Sequence, residues 1–232
     1  MPAVEVPPPH RPVRTFHPRR SRIGPTRQAV LRDRLPDYRL DPADLPGGEV
    51  VLEIGCGDGT ATVATARSRP GATVVACDVH TPGIATLVAR LDAEHIGNVR
   101  VHVGDALDVL EQAPDGWLDA LVVLFPDPWP KARHAHRRLV QAPFVALAAR
   151  VLRPGGVLHL ATDVGAYAHQ ARRAVEAEAR LAACPPPPRP STPYERKGLA
   201  AGRRPVDLAW LRREDRGEGQ DEGRGRMSGG AG

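Results

Sequence analysis

The sequence predicts an α/β fold built on a doubly wound, mostly parallel sheet, and three features carry that prediction. From Gly48 onward, apolar strand-like runs alternate with helical segments, a spacing that produces a parallel sheet with helices on both faces. A glycine turn, Gly55-Cys56-Gly57-Asp58-Gly59, joins the first strand-like run to an alanine-rich helical one. Acids or glycines then follow each of five successive strand-like runs, and in such a sheet those positions share the rim where ligands bind.

The elements follow in order. Residues 1–22 are rich in proline and arginine, lack apolar periodicity, and are expected to form a flexible basic arm. Thr26 is expected to cap a short helix over Arg27 to Leu35 that ends before Pro36. Glu49 to Ile54 is a buried-strand pattern, and Thr60 to Ser68 is the helix beyond the glycine turn. Ala72 to Cys77 is a second strand, followed by a helix from about Pro82 to Glu94. Val99 to Val103 and Leu118 to Phe125 give two more strands. A long helix is expected from roughly Arg137 to Leu152, closed by Pro154-Gly155-Gly156. Val157 to Ala161 continues the sheet, Val164 to Ala183 reads as a helix, and Pro185–Pro190 as a stiff connector. Val206 to Leu211 is expected as a last strand, at an edge. The folded domain is thus placed at residues 23–213, with the Gly-, Arg- and acid-rich residues 214–232 as a disordered tail.

Composition narrows the function classes. At 232 residues the chain can bury one substantial core. No apolar run approaches the roughly 20 residues needed to cross a bilayer, so no membrane association is expected. The start of the chain carries an early acid, Glu5, and prolines instead of an apolar h-region, which argues against a secretory signal and makes the cytoplasm the expected location. Cys56, Cys77 and Cys184 show no C-x-x-C pairing, so they predict neither a zinc site nor a disulfide framework. His134 and His136 lack a third ligand nearby, and no metal is expected. The formal net charge is +5, with nearly all the positive charge on arginine. That suits a polyanionic partner, and it equally suits an arginine-favouring composition, so charge alone does not choose a substrate.

The glycine turn does favour one cofactor class over another. Its spacing is G-x-G-x-G, with no glycine three residues after Gly57, where a dinucleotide fingerprint needs one. Gly55 and Gly57 permit positive φ and close approach of the backbone to a ligand. The acids around the turn suit a cationic ligand better than a diphosphate. Glu53 flanks the turn, Asp78 ends the second strand where a carboxylate accepts from ribose hydroxyls, and Asp105 follows the third, facing an adenine amine. S-adenosyl-L-methionine, with its sulfonium and amino group, is the expected methyl donor; the competing reading has Asp78 and Asp105 as helix caps.

The most distinctive stretch begins at Phe125-Pro126-Asp127-Pro128-Trp129-Pro130-Lys131 and runs on through Arg133, His134, Arg137 and Arg138. Two prolines fix the backbone around Asp127. Trp129 offers a stacking face and the basic side chains suit phosphates, the combination that grips an unstacked base. These residues make the chain resemble the tRNA (guanine-N7-)-methyltransferases, from about Arg19 to Arg212. Further matches are the E-I-G-x-G-x-G turn, His80 with Pro82-Gly83, Thr162-Asp163 with Tyr167, and Thr192-Pro193-Tyr194-Glu195.

The resemblance implies a Rossmann-like methyltransferase sheet with an antiparallel edge strand, acting on guanosine 46 in the variable loop of tRNA. It requires no obligate protein partner. It assigns cofactor contacts to Glu53, Asp78, Asp105 and Asp127, with Asp127 also the catalytic acid. Lys131, Arg133, Arg137, Arg138, Asp163, Thr192, Pro193, Tyr194 and Glu195 fall at substrate-binding positions. Pro193 stands where a lysine is usual, and Asp78 replaces a more usual glutamate. Asp127 or Asp163 is expected to hold the N1–H and amino group of guanine. The alternatives are an amino-directed nucleic-acid methyltransferase, a small-molecule methyltransferase, and a binding protein without turnover. The first is disfavoured because Pro126-Asp127-Pro128-Trp129 has no double proline after its acid, and the second by the basic stretch from Lys131 to Arg138.

Overall fold

The computed structural model describes Phe16 and residues 23–214. The arm expected over residues 1–22 and the tail expected from residue 214 therefore lie, apart from Phe16 and Glu214, outside the described residues.

Strand-forming residues here are β-branched and apolar on both faces. β1 (Val50–Ile54), β2 (Thr73–Asp78), β3 (Val99–Val103), β4 (Leu118–Leu124) and β5 (Leu152–Thr162) pair in parallel, and β6 (Leu181–Cys184) and β7 (Val206–Arg212) extend the sheet antiparallel. The order is β3-β2-β1-β4-β5-β7-β6. Along β2 the side chains alternate: Val75 and Cys77 enter one core, Val74 and Ala76 the other. That period of two, buried on both sides, is what a doubly covered parallel sheet demands.

Helices cover the two faces. α1 (Pro25–Asp33), α2 (Leu35–Tyr38), α3 (Thr60–Ser68) and α4 (Thr81–Ala93) precede β3 in the chain, and residues from these four pack in one core. α5 (Ala106–Gln112), α6 (Ala142–Val151) and α7 (Gly165–Glu176) supply the other, and α8 (Pro193–Ala200) precedes β7. Because the order reverses between β1 and β4, the glycine turn after β1 and the proline loop after β4 face one crevice.

Several sequence expectations are corrected. Thr26 caps nothing. Gly24 precedes the helix, and Pro25 opens it, a position where the missing proline N–H costs no bond. For the same reason Pro36 lies inside the first turn of α2 instead of merely ending α1. The long helix expected from Arg137 begins only at Ala142, with Pro143 in its first turn; Ala132–Arg137 forms a 3₁₀ helix. The helix expected over Val164 to Ala183 stops at Glu176, and Leu181–Cys184 pairs with β7. Alanine's helical propensity there yields to tertiary pairing. β7 is consequently an interior strand, and β6 takes the edge. The strands at Val99–Val103 and the helix at Thr60–Ser68 stand at the expected bounds.

Candidate active site

The carboxyl ends of β1, β2, β3 and β4 surround a cavity of about 400 Å³, within the range of roughly 300–1,000 Å³ that holds ligands of cofactor size. Glu53, Gly55, Gly57, Asp78, Asp105 and Asp127 line it, and Thr192, Pro193 and Tyr194 close one side. Phe16 also reaches its wall.

The glycine turn is held from two directions. Asp78 accepts from the backbone N–H of Gly57 and of His80, both at 2.8 Å. Gly83 brings α4 so close that a Cβ there would lie 2.4 Å from the carbonyl oxygen of Gly57. The His80-x-Pro82-Gly83 segment therefore packs the turn in place. Glu53 is buried, and the Thr62 hydroxyl donates to it at 2.6 Å. Burial raises its pKa to about 7, and the neighbouring charges of Asp78 and Asp58 add to the rise against the Thr62 bond. Asp105 accepts from the N–H of Leu107 at 3.1 Å, so it does cap α5 while also lining the cavity. Burial raises its pKa as well. Burial likewise pushes up the thiols of Cys56 and Cys77, which fits inert packing residues.

The loop after β4 is shaped by packing. Phe125 and Trp129 have φ of 53° and 42°, a region that costs non-glycine residues strain unless their surroundings impose it. At Trp129, Arg138 does the imposing. Its side chain is buried, donating from Nε to the Pro128 carbonyl at 2.9 Å, from Nη2 to the Trp129 carbonyl and from Nη1 to Gln170 Oε1 at 2.6 Å. Arg138, expected at an RNA-contact position, is thus engaged with the loop's own carbonyls. Trp129 is buried too, with the Arg137 guanidinium 4.9 Å from its ring centre and His134 against its edge. The expected stacking face for a base is already occupied. Lys131 and Arg133 remain exposed on the outer side of the loop.

Next to Thr192, Pro193 and Tyr194, the residues that close the other side, lies a network of arginine and carboxylate that does not itself line the cavity. Arg189 donates to both oxygens of Glu195, at 2.7 and 2.8 Å, and to both oxygens of Asp207, at 2.5 and 2.9 Å. Its guanidinium also lies 5.2 Å from the Phe125 ring centre. His159, buried on β5, meets the same Asp207 oxygen at 2.8 Å. Burial works to raise the pKa of Asp207, but the bonds from His159 and Arg189 prevail and hold it at about 2. Glu195 and Thr192 form a capping box at the start of α8. Glu195 therefore organises the wall and does not line the cavity. Asp163 does not line it either. Its carboxylate, 6% exposed, meets Arg203 Nη1 at 2.7 Å and the Tyr194 hydroxyl at 3.3 Å.

Arg189, Arg203 and Thr62 were not singled out by sequence reading. Their partners lie 6 to 40 positions away. A lone arginine inside the run Pro185–Pro190 was the one available signal.

Two solved methyltransferases share this fold. The antibiotic-resistance methyltransferase Kmr matches with a TM-score of 0.53 at 20% identity, over 76% of this chain and 94% of its own. TrmN from Thermus thermophilus gives 0.54 at 21%, over 80% of this chain and 48% of its own. The fold is thus that of the Rossmann-like methyltransferases. The Methyltransf_4 family model, a methyltransferase model, matches residues 48–208. The tRNA (guanine-N(7)-)-methyltransferase of Mycobacterium avium is 40% identical over 87% of this chain and 88% of its own length. That of Alkalilimnicola ehrlichii is 39% identical over 88% and 94%. This chain belongs to the tRNA (guanine-N(7)-)-methyltransferase family.

Proposed function

We propose that the chain methylates N7 of a guanine in tRNA, at position 46 of the variable loop, with S-adenosyl-L-methionine as donor, and works in the cytoplasm. The observation that carries this reading is the acid-lined cavity at the switch point, with Asp127, Glu53 and Tyr194 all on its wall. The donor set fits the cofactor. Gly55 and Gly57 both have positive φ and open space where a Cβ would stand, so backbone alone meets a ligand there. Glu53 suits an ammonium, Asp78 ribose hydroxyls and Asp105 an adenine amine.

When bound, the cofactor supplies an electrophilic methyl group. Guanine N7 has an in-plane lone pair and no proton, so the protein needs no base to unmask it. Its residues must instead orient the base and place negative charge near a purine that becomes cationic. Asp127, on the cavity wall, meets the second need by opposing the developing charge; the first falls to a carboxylate, which accepts from N1–H and the amino group together. Lys131 and Arg133, exposed beside it, suit the RNA backbone. Arg138, Thr192 and Glu195 serve by shaping the walls.

Incubation with unmodified tRNA and methyl-labelled S-adenosylmethionine, followed by nucleoside analysis, tests the reading. Label is expected in 7-methylguanosine and is expected to be lost in Asp127→Ala. Label in another nucleoside would overturn the substrate assignment.

A further inference from the structure

Asp163 is placed at a substrate-binding position by the family pattern, yet its carboxylate is 6% exposed and lies outside the cavity lining. Tyr194, which does line the cavity, touches it through its hydroxyl. The group holding Asp163 is the Arg203 guanidinium, itself 40% exposed. Arg203 is fixed by several independent contacts. Its N–H donates to the Gly198 carbonyl at 3.0 Å, its guanidinium lies 5.0 Å from the Tyr194 ring centre, and Nη1 also donates to the Tyr194 hydroxyl at 2.9 Å. Gly198 makes room for this: a Cβ there would meet Nη2, Nε and Cζ of Arg203 at 3.2 to 3.4 Å.

The chemistry of the occupant is informative. Arg203 reaches Asp163 through Nη1 and Oδ2, with a planar fork that is able to offer a carboxylate two parallel N–H donors. The N1–H and 2-amino group of guanine present the same planar pair. Adenine and cytosine have no such pair, and in uracil the single N–H is flanked by two carbonyls that repel a carboxylate. We propose that Arg203 occupies on Asp163 the place of the guanine edge, and that the incoming base takes over this carboxylate while Arg203 swings to solvent and RNA phosphate. The swing is short of obstacles, since Arg203 and its neighbours Arg204, Lys197 and Arg196 are exposed. Tyr194, stacked on Arg203 and on Phe125 with ring centres 5.1 Å apart, is the surface along which the exchange runs. The inference rests on the guanine reading above, and it identifies Arg203 as an affinity-setting residue, because a site competent only part of the time binds more weakly by that fraction.

The test uses guanosine, which has no phosphate and so does not sense the lost charge at long range. Its inhibition constant against tRNA methylation is measured for the wild type, Arg203→Met and Arg203→Met/Asp163→Asn, with S-adenosylhomocysteine binding as the control for an intact fold. Arg203→Met is expected to bind guanosine about three- to tenfold more tightly, the double variant is expected to lose that gain, and inosine, lacking the 2-amino group, is expected to gain less. An unchanged or weakened guanosine constant in Arg203→Met would overturn the exchange while leaving the guanine reading intact. Failure of guanosine to compete with either protein, with label appearing outside 7-methylguanosine, would instead sink the reading on which it rests.

Discussion

Two walls around one cavity hold their acids by different means, and only the first places them on the lining. On the side of β1 to β3, Asp78 and Asp105 accept from backbone N–H groups and Glu53 from one hydroxyl. On the side of β5, α8 and β7, the partners of Glu195, Asp207 and Asp163 are guanidinium groups. Backbone dipoles leave a carboxylate with net negative charge, free to attract a cationic ligand. Two guanidinium partners offset most of the charge of three carboxylates, so the second wall offers shape and exchangeable pairs with a weaker standing field. The first wall thus suits a small cation that must be captured from solution, and the second a large polyanion that a strongly acidic surface would repel.

The largest effect that would break this contrast is on stability. Arg189→Met leaves Glu195 and Asp207 without their shared cation. Breaking a fully buried pair costs about 3–5 kcal/mol, and this part-buried network should lose less than that. Urea denaturation measures it, and a loss near zero would mean that solvent replaces Arg189 without cost. Next comes Asp127→Asn, expected to lower turnover roughly a hundred- to thousandfold, as loss of a charge contact at a reacting centre does, with S-adenosylhomocysteine binding retained. Near-wild-type turnover would remove Asp127 from the chemistry.

Glu53 gives a pH signature of the first wall. Its folded pKa, about 7, lies above the ordinary 4.5, so the ligand-free chain favours the protonated form. The stability this contributes is full below the unfolded value and is lost as pH rises through 7. A cationic ligand reverses the preference, so its binding at or below pH 7 should release protons. Calorimetry in buffers of different ionisation enthalpy should detect that release in the wild type and lose it in Glu53→Gln. The smallest effect is at the capping box, where Thr192→Ala should cost about 0.5–2 kcal/mol in the same urea experiment.

The first wall was legible in the sequence because its partners are near in the chain: a glycine turn, the strand ends, and caps two residues away. The order of strands β1 to β5 was legible for the same reason, since apolar runs and glycine turns are local signals. The second wall was not. Leu181–Cys184 reads as helix until β7 pairs with it, and Arg138 reads as a surface cation until Pro128, Trp129 and Gln170 surround it. Residue type announced the acids; only tertiary contacts announced which of them were already spoken for.

The backbone around Asp127 has a kinetic consequence. Phe125 and Trp129 are held left-handed on either side of Pro126-Asp127-Pro128, a geometry that neither side chain favours by itself. What enforces it comes later in the chain: Arg138, Gln170 of α7, and Arg189 beyond β6. The loop is therefore expected to take this shape only once those later segments have packed against it, so the acid proposed for catalysis should become ordered after the glycine turn, whose partners are nearer in the chain.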